Sequence, residues 1–150
     1  MTTTLQIRAA DWDRDRDALK QLRHEVFVVG QNVPEDLEWD GEDAGCRHAL
    51  AILEGAVVGT GRLTPQGKIG RMAVLDTARG LGIGGGLLRH LMAVAQTLGL
   101  SSVHLHAQTH ALAFYARHGF KSHGDEFDEA GIPHLHMVCE LAAIGENDNA

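Results

Sequence analysis

The chain has 150 residues, 44% of them hydrophobic, and a formal charge of −7 at neutral pH. That is the length of one domain with a core that needs no disulfide staple, and Cys46 and Cys139 read as small buried hydrophobes in a reducing compartment. The acidic balance argues against nucleic acid, no run reaches the length of a membrane span, and Met1-Thr2-Thr3-Thr4 has no apolar signal core, so a cytoplasmic protein with neither nucleic-acid nor membrane partners is expected.

In chain order, Leu5-Gln6-Ile7-Arg8-Ala9 alternates like a strand. Asp11 or Asp13 suits the cap of a following helix. Ala18, Leu19, Leu22 and Val26 share one face, which predicts an amphipathic helix from Asp13 to Phe27. The run Asp13-Arg14-Asp15-Arg16-Asp17 reads as its solvated start. Gly30 to Cys46 is too polar for a core element and reads as a long loop, with Trp39 pinning it or lining a substrate pocket. His48 to Leu53 and Ala56 to Leu63 are strands around a Glu54-Gly55 hairpin, and Thr64-Pro65-Gln66-Gly67 turns into a strand ending at Val74. A glycine-rich turn leads into a helix from Gly84 to Leu98, closed by Gly99. Ser101 to Ala107 is a strand with Val103, Leu105 and Ala107 on one face and His104 and His106 on the other. A short helix holding Ala111, Phe114 and Tyr115 ends at Gly119, and Phe120 to His123 and His134 to Leu141 are the last strands. One domain covers 1–143, and 144–150 is a polar tail.

The most informative stretch is Arg79-Gly80-Leu81-Gly82-Ile83-Gly84-Gly85-Gly86, between a strand and a helix. The first N–H groups of a helix lack intrahelical acceptors, and the helix dipole adds partial positive charge there. With glycines in place of side chains, the result is an anion cradle suited to a pyrophosphate. No Gly-Lys-Ser or Gly-Lys-Thr ending makes it a P-loop. Gly80-Leu81-Gly82-Ile83-Gly84-Gly85 satisfies the dinucleotide pattern Gly-x-Gly-x-x-Gly, but no βαβ repeat with a ribose-binding acid follows. Arg79, Gly82 and Gly84 also fit Arg/Gln-x-x-Gly-x-Gly/Ala.

That last pattern, with Tyr115 shortly before Gly119-Phe120, resembles the two signatures of the GNAT acyl-CoA N-acyltransferases. Leu22 to Pro34 and Gly124 to His134 are similar to the N- and C-terminal segments of the ElaA-like branch, so the likeness runs from about Leu22 to Cys139. One departure is Gly30, where that branch often carries Glu. The resemblance implies an α/β GNAT fold, with a mixed central sheet of six to seven strands flanked by helices.

It further implies acetyl-CoA as acyl donor and an amine as acceptor, and it admits a homodimer. Met72, Ala73 and Val74 would carry the pantetheine arm. The turn Arg79, Gly80, Leu81, Gly82, Ile83, Gly84 and Gly85 would hold the pyrophosphate, with Phe114 and Tyr115 along the arm. Val74 would supply an N–H to the carbonyl oxygen, and Tyr115 would protonate the leaving thiolate. The base is open among Glu25, Glu38, Asp40, His106, Glu129 and His134, with His106 the catalytic candidate because it faces the cleft. Glu25, Phe27, Trp39, Asp40 and His134 are the acceptor-site candidates. His104 with His106 and His134 with His136 form i, i+2 pairs, yet no Cys or Asp completes a metal motif, and no metal is expected. A noncatalytic acyl-CoA-binding module on the same fold is the alternative. A cleft without an amine-sized pocket beside the thioester would favour it.

Overall fold

A computed structural model describes residues 4–29 and 43–142. Strand β1 (Leu5–Ala10) leads to helix α1 (Trp12–Arg23), followed by a π-helical turn, His24–Val29. Strands β2 (Arg47–Leu53), β3 (Ala56–Leu63) and β4 (Ile69–Val74) form a meander. Helix α2 (Ile83–Thr97), β5 (Ser102–Gln108), the short helix α3 (Leu112–Ala116), β6 (Lys121–Glu129) and β7 (Ile132–Glu140) complete the order.

The expected mixed sheet is present as two antiparallel halves. One has the order β1-β2-β3-β4 and the other β5-β7-β6. They meet in parallel at a bridge between Lys68 and His104, where the His104 N–H donates to the Gly67 carbonyl at 3.0 Å. Beyond that bridge β4 and β5 each hydrogen-bond only to their outer neighbours, so the sheet splits towards their C-terminal ends.

The core follows from strand alternation. Ala49 and Ala51 of β2 pack with Leu87, Leu88 and Leu91 of α2, and Val103, Leu105 and Ala107 of β5 join the same cluster. Each fully buried leucine contributes about 1.5–3 kcal/mol. Leu50 points to the opposite face, where α1 lies with Leu19, Leu22 and Val26 buried.

Several boundaries differ from the sequence reading. Asp11 caps α1, accepting from the N–H groups of Asp13 and Arg14 at 2.9 and 3.3 Å, so the helix starts at Trp12. It ends as a regular α-helix at Arg23 and widens into the π turn, whose residues have no composition that distinguishes them from α-helix. Asp15 is not merely solvated: it pairs with Arg8 at 3.2 Å, and its pKa falls to about 2, chiefly through that hydrogen bond. Strand β6 runs on to Glu129 rather than stopping at His123. The register passes from His123↔His136 to Phe127↔His134, so residues 124–126 bulge outward opposite Leu135.

Candidate active site

The split between β4 and β5 exposes backbone that a closed sheet would use up. Leu75 N–H donates to the Val58 carbonyl at 2.9 Å, and the register sets Ala73 opposite Thr60 and Val74 opposite Gly59. In an antiparallel ladder hydrogen-bonded pairs alternate with non-bonded ones. Val74 therefore turns its N–H and C=O away from β3, into the opening. Ala73 turns its own towards Thr60, and its methyl is buried, so it presents no group to the opening. Of Ala73 and Val74, it is Val74 whose backbone groups face the opening. Between these pairs and Arg62↔Gly70, Gly61 faces both Arg71 and Met72, a β-bulge with Arg71 at φ 50°. A Cβ on Gly61 would lie 2.6 Å from Met72 Sδ, so the glycine makes room for the Met72 side chain.

At the mouth of the opening stands the glycine turn. Gly82, at φ 78°, is the N-cap of α2 and supplies no side chain to the helix end. The first backbone bond is Gly86 N–H to the Gly82 carbonyl at 3.1 Å, which leaves the N–H groups of Ile83, Gly84 and Gly85 without intrahelical acceptors. A Cβ built on Gly80 or Gly82 meets nothing within 4 Å, so the space before this helix end is open. This is what a pyrophosphate requires: free donors, a positive dipole end and room for close approach. Arg79 is exposed, paired with Asp76 at 2.8 Å, and its Nε donates to the Val74 carbonyl at 3.4 Å. Leu81 is exposed on the turn, whereas Ile83 is buried beneath it.

The second signature is explained by helix termination. Gly119, at φ 93°, donates to the Ala116 carbonyl at 3.1 Å, and Phe120 N–H reaches back to the Tyr115 carbonyl at 3.2 Å. These are the two bonds of a Schellman turn, which also brings its flanking apolar residues together. Tyr115 and Phe120 are those residues, with ring centroids 6.0 Å apart. Phe120 is buried in the core, so it anchors Tyr115 through the turn. Burial pushes the Tyr115 hydroxyl above its usual pKa of 10, which keeps it protonated at neutral pH. Phe114 packs edge-on to Tyr115 at 5.0 Å, and its Cζ lies 3.7 Å from the position a Cβ would take on Gly84. The two signatures, 30 residues apart in the chain from Gly84 to Phe114, thus lie side by side.

On β5 and β7, the face opposite α2 carries imidazoles. His106 lies two residues beyond the Lys68–His104 bridge, level with Gly70 at the start of the bulge. Its Nδ1 is 2.9 Å from Glu129 Oε1, and Phe127 meets it edge-on at 5.0 Å. His134 is buried, donates from Nδ1 to the Ile132 carbonyl at 2.7 Å, and sets Nε2 3.6 Å from Glu129 Oε2. His136 and His104 stand beside them, both held below the usual histidine range, mainly by burial and then by neighbouring positive charge. Among the described residues no three His, Cys, Asp or Glu converge on a metal position.

Glu25 is exposed and Phe27 half-buried in the π turn, which packs against β4. Trp39, Asp40 and Glu38 lie outside the described residues. One feature of the α1 face had no sequence signal. Asp43 is buried and holds both Arg23, at 2.8 Å, and Arg62, at 3.1 Å, while His48 Nε2 meets its carbonyl at 2.8 Å. Arginines at these positions read as surface residues until the fold closes over them.

The family model described as an acetyltransferase (GNAT) domain matches residues 15–141. The chain belongs to the GNAT acetyltransferase family. An uncharacterized N-acetyltransferase of Bacillus subtilis strain 168, YjcF, is 39% identical over 121 residues, covering 78% of this chain and 86% of that protein. The crystal structure of an acyl-CoA N-acyltransferase from Pseudomonas aeruginosa superposes with a TM-score of 0.80 at 33% identity, covering 91% of this chain and 99% of that one. Escherichia coli ElaA superposes with a TM-score of 0.83 at 29% identity, covering 91% and 100%. The chain is therefore a GNAT acyltransferase of the ElaA-like branch, which takes an acyl-CoA donor and an acceptor. Among the described residues no helix is long and apolar enough to cross a membrane.

Proposed function

We propose that this GNAT protein transfers the acetyl group of acetyl-CoA to the amine of a small molecule or peptide by direct attack. The observation that carries this reading is the closeness of Phe114 to Gly84, at the start of the helix that follows the glycine turn and beside the β4–β5 opening. It brings an anion cradle, a strand edge whose Val74 N–H turns outward and a protonated tyrosine near one another.

Each group has one task. The N–H groups of Ile83, Gly84 and Gly85, with Arg79, Gly80, Leu81 and Gly82 shaping the turn, hold the donor's pyrophosphate. Met72 and Val74 lie along the pantetheine arm. Val74 N–H donates to the thioester carbonyl oxygen as negative charge builds there, and a preorganised donor of this kind contributes about 3–4 kcal/mol to an acyl transfer. His106 takes a proton from the incoming ammonium. The amine nitrogen then bonds to the carbonyl carbon and the C–S bond breaks. The ammonium loses two protons in all: the one on His106 passes to solvent, and the other reaches the thiolate sulfur by way of Tyr115. A thiol pKa of about 8.5 lies below that of tyrosine, so this transfer is concerted with C–S cleavage rather than a separate equilibrium. Glu25, Phe27 and His134, with Trp39 and Asp40 from outside the described residues, are the side chains proposed to meet the acceptor.

A panel of amines, polyamines, amino sugars and peptides, followed by release of free thiol from acetyl-CoA, tests the reading. Amine-dependent thiol release that needs Tyr115 is the expected result. Tight acetyl-CoA binding with no release across the panel would favour a binding module instead.

A further inference from the structure

Glu129, one of the candidate bases, has no task in the transfer as proposed, yet among the described residues its carboxylate is the acid set against His106. The hairpin that carries it is tightly fixed. Glu129 pairs with Ile132 across the two residues Ala130 and Gly131, at φ 53° and 78°. Two positive φ values make a type I′ turn, the geometry that matches strand twist, and an alanine at such a position is strained. That turn sets Glu129 two residues beyond Phe127, on the same face of β6. Phe127 in turn stacks on His134 and meets His106 edge-on, at 6.0 and 5.0 Å between ring centroids.

A carboxylate only accepts hydrogen bonds. The 2.9 Å contact therefore requires the proton of a neutral His106 to sit on Nδ1, which leaves the lone pair on Nε2. The other carboxylate oxygen faces His134 Nε2 at 3.6 Å, and His134 is itself held by the Ile132 carbonyl. The same hairpin thus fixes both ends of the contact. We propose that Glu129 is a positioning residue: it holds His106 in the Nδ1–H tautomer, so that Nε2 accepts the proton lost by the attacking ammonium, and it stabilises the imidazolium that results.

This rests on the acetyl-transfer reading given above. Burial pushes the Glu129 carboxyl up, but the hydrogen bond from His106 and the charges of His106, His134 and Lys68 outweigh it, so Glu129 stays below its ordinary range. Among the described residues the groups facing this site are Glu129 and His123 of β6, His134 and His136 of β7, His104 of β5, and Lys68 just before β4, and Glu129 is the carboxylate of that set.

The experiment reads the tautomer directly. Long-range proton–nitrogen correlation spectra of uniformly ¹⁵N-labelled protein, with His106 identified by its absence in His106→Gln, should show the Nδ1–H form in the wild type. Glu129→Gln should lose that preference. With an acceptor from the amine panel, kcat should fall about 10²-fold while acetyl-CoA affinity stays within about twofold. The double variant should be no slower than His106→Gln alone, because the two residues act as one unit. Glu129→Asp serves as the second variant, and partial recovery of both tautomer and turnover is expected from it. An Nε2–H tautomer in the wild type, an unchanged tautomer in Glu129→Gln, or additive losses in the double variant would overturn the proposal. Should the tautomer depend on Glu129 while no amine is acetylated, the transfer reading falls and the proton-accepting half of this inference falls with it.

Discussion

Two glycines of the turn, two residues apart, should respond to alanine in opposite ways. Gly82 sits at φ 78°, where a Cβ costs about 1–2 kcal/mol, offset by about 0.4–1 kcal/mol from the stiffer unfolded chain. Gly82→Ala should therefore destabilise by about 0.5–1 kcal/mol, or relax the turn to avoid that cost. If the turn relaxes the donor N–H groups move, and if it holds its φ the new Cβ occupies the open space before the helix end; in both cases acetyl-CoA affinity should drop at least tenfold, which is about 1.4 kcal/mol. Gly84 is already inside α2, and its Cβ would make an ordinary 3.7 Å contact with Phe114. Gly84→Ala gains about 0.5–1 kcal/mol of helix propensity, enough to raise Tm by about 1–4 °C in a chain of this size. Its affinity should stay within about threefold. Thermal unfolding and calorimetric titration with acetyl-CoA read both quantities without knowledge of the acceptor. Equal loss of affinity in both variants, or normal affinity in a folded Gly82→Ala, would show that the cradle is not built as argued.

Three further outcomes follow from named contacts. Tyr115→Phe keeps the packing on Phe114 and Phe120, so stability should change by less than about 1 kcal/mol while single-turnover acetyl transfer slows about 10²-fold; full activity in that variant removes the acid role. Asp43→Asn removes one anion that buried Arg23 and Arg62 both meet and should destabilise the protein in urea unfolding by about 1–3 kcal/mol. Burial alone would raise the Asp43 carboxyl, but the hydrogen bonds and charges of Arg23 and Arg62 hold it below its ordinary range, so its contribution is complete above about pH 4 and disappears as pH falls through the lowered value. Asp15, with a pKa of about 2, follows the same sign: its share is present above about pH 4 and lost towards pH 2. Because Arg8 is partly exposed, that share is about 1 kcal/mol, and Asp15→Asn should flatten the acid limb of a stability curve by that amount.

The element order was legible because hydrophobic period and punctuation carry it. Glu54-Gly55, Gly99 and Gly119 all sit at positive φ where the sequence places a turn or a helix end. Tyr115 and Phe120 were legible as a spacing, and the Schellman turn supplies the reason for it. What stayed hidden depends on register or on closure of the fold. That Val74 faces the opening and Ala73 does not is decided by which pair of the β3–β4 ladder is hydrogen-bonded. The contact of His106 with Glu129 spans 23 residues and exists only because β5, β7 and β6 align in one register. The outward bulge in β6 arises in Gly124-Asp125-Glu126, a stretch whose polarity reads as loop. The Arg23–Asp43–Arg62 group looks like surface charge until α1 is laid on the sheet.

These observations divide the site by the kind of atom that does the work. In the proposed site the donor half is built of backbone: the N–H groups at the start of α2 and the outward face of Val74. Their positions are set by helix and strand geometry, so they respond to substitutions that alter φ and hardly at all to changes of side chain. The proposed acceptor half is built of side chains: His106, Glu129 and His134 among the described residues. A side-chain site takes its specificity from particular residues, each replaceable without disturbing the fold. The donor class accordingly follows from the family and from the acyl-CoA N-acyltransferase at 33% identity. The same division predicts where the two halves separate in kinetics. Changes in the glycine turn should alter donor affinity for every acceptor alike. Changes at Glu129 or His106 should leave donor affinity in place and alter turnover.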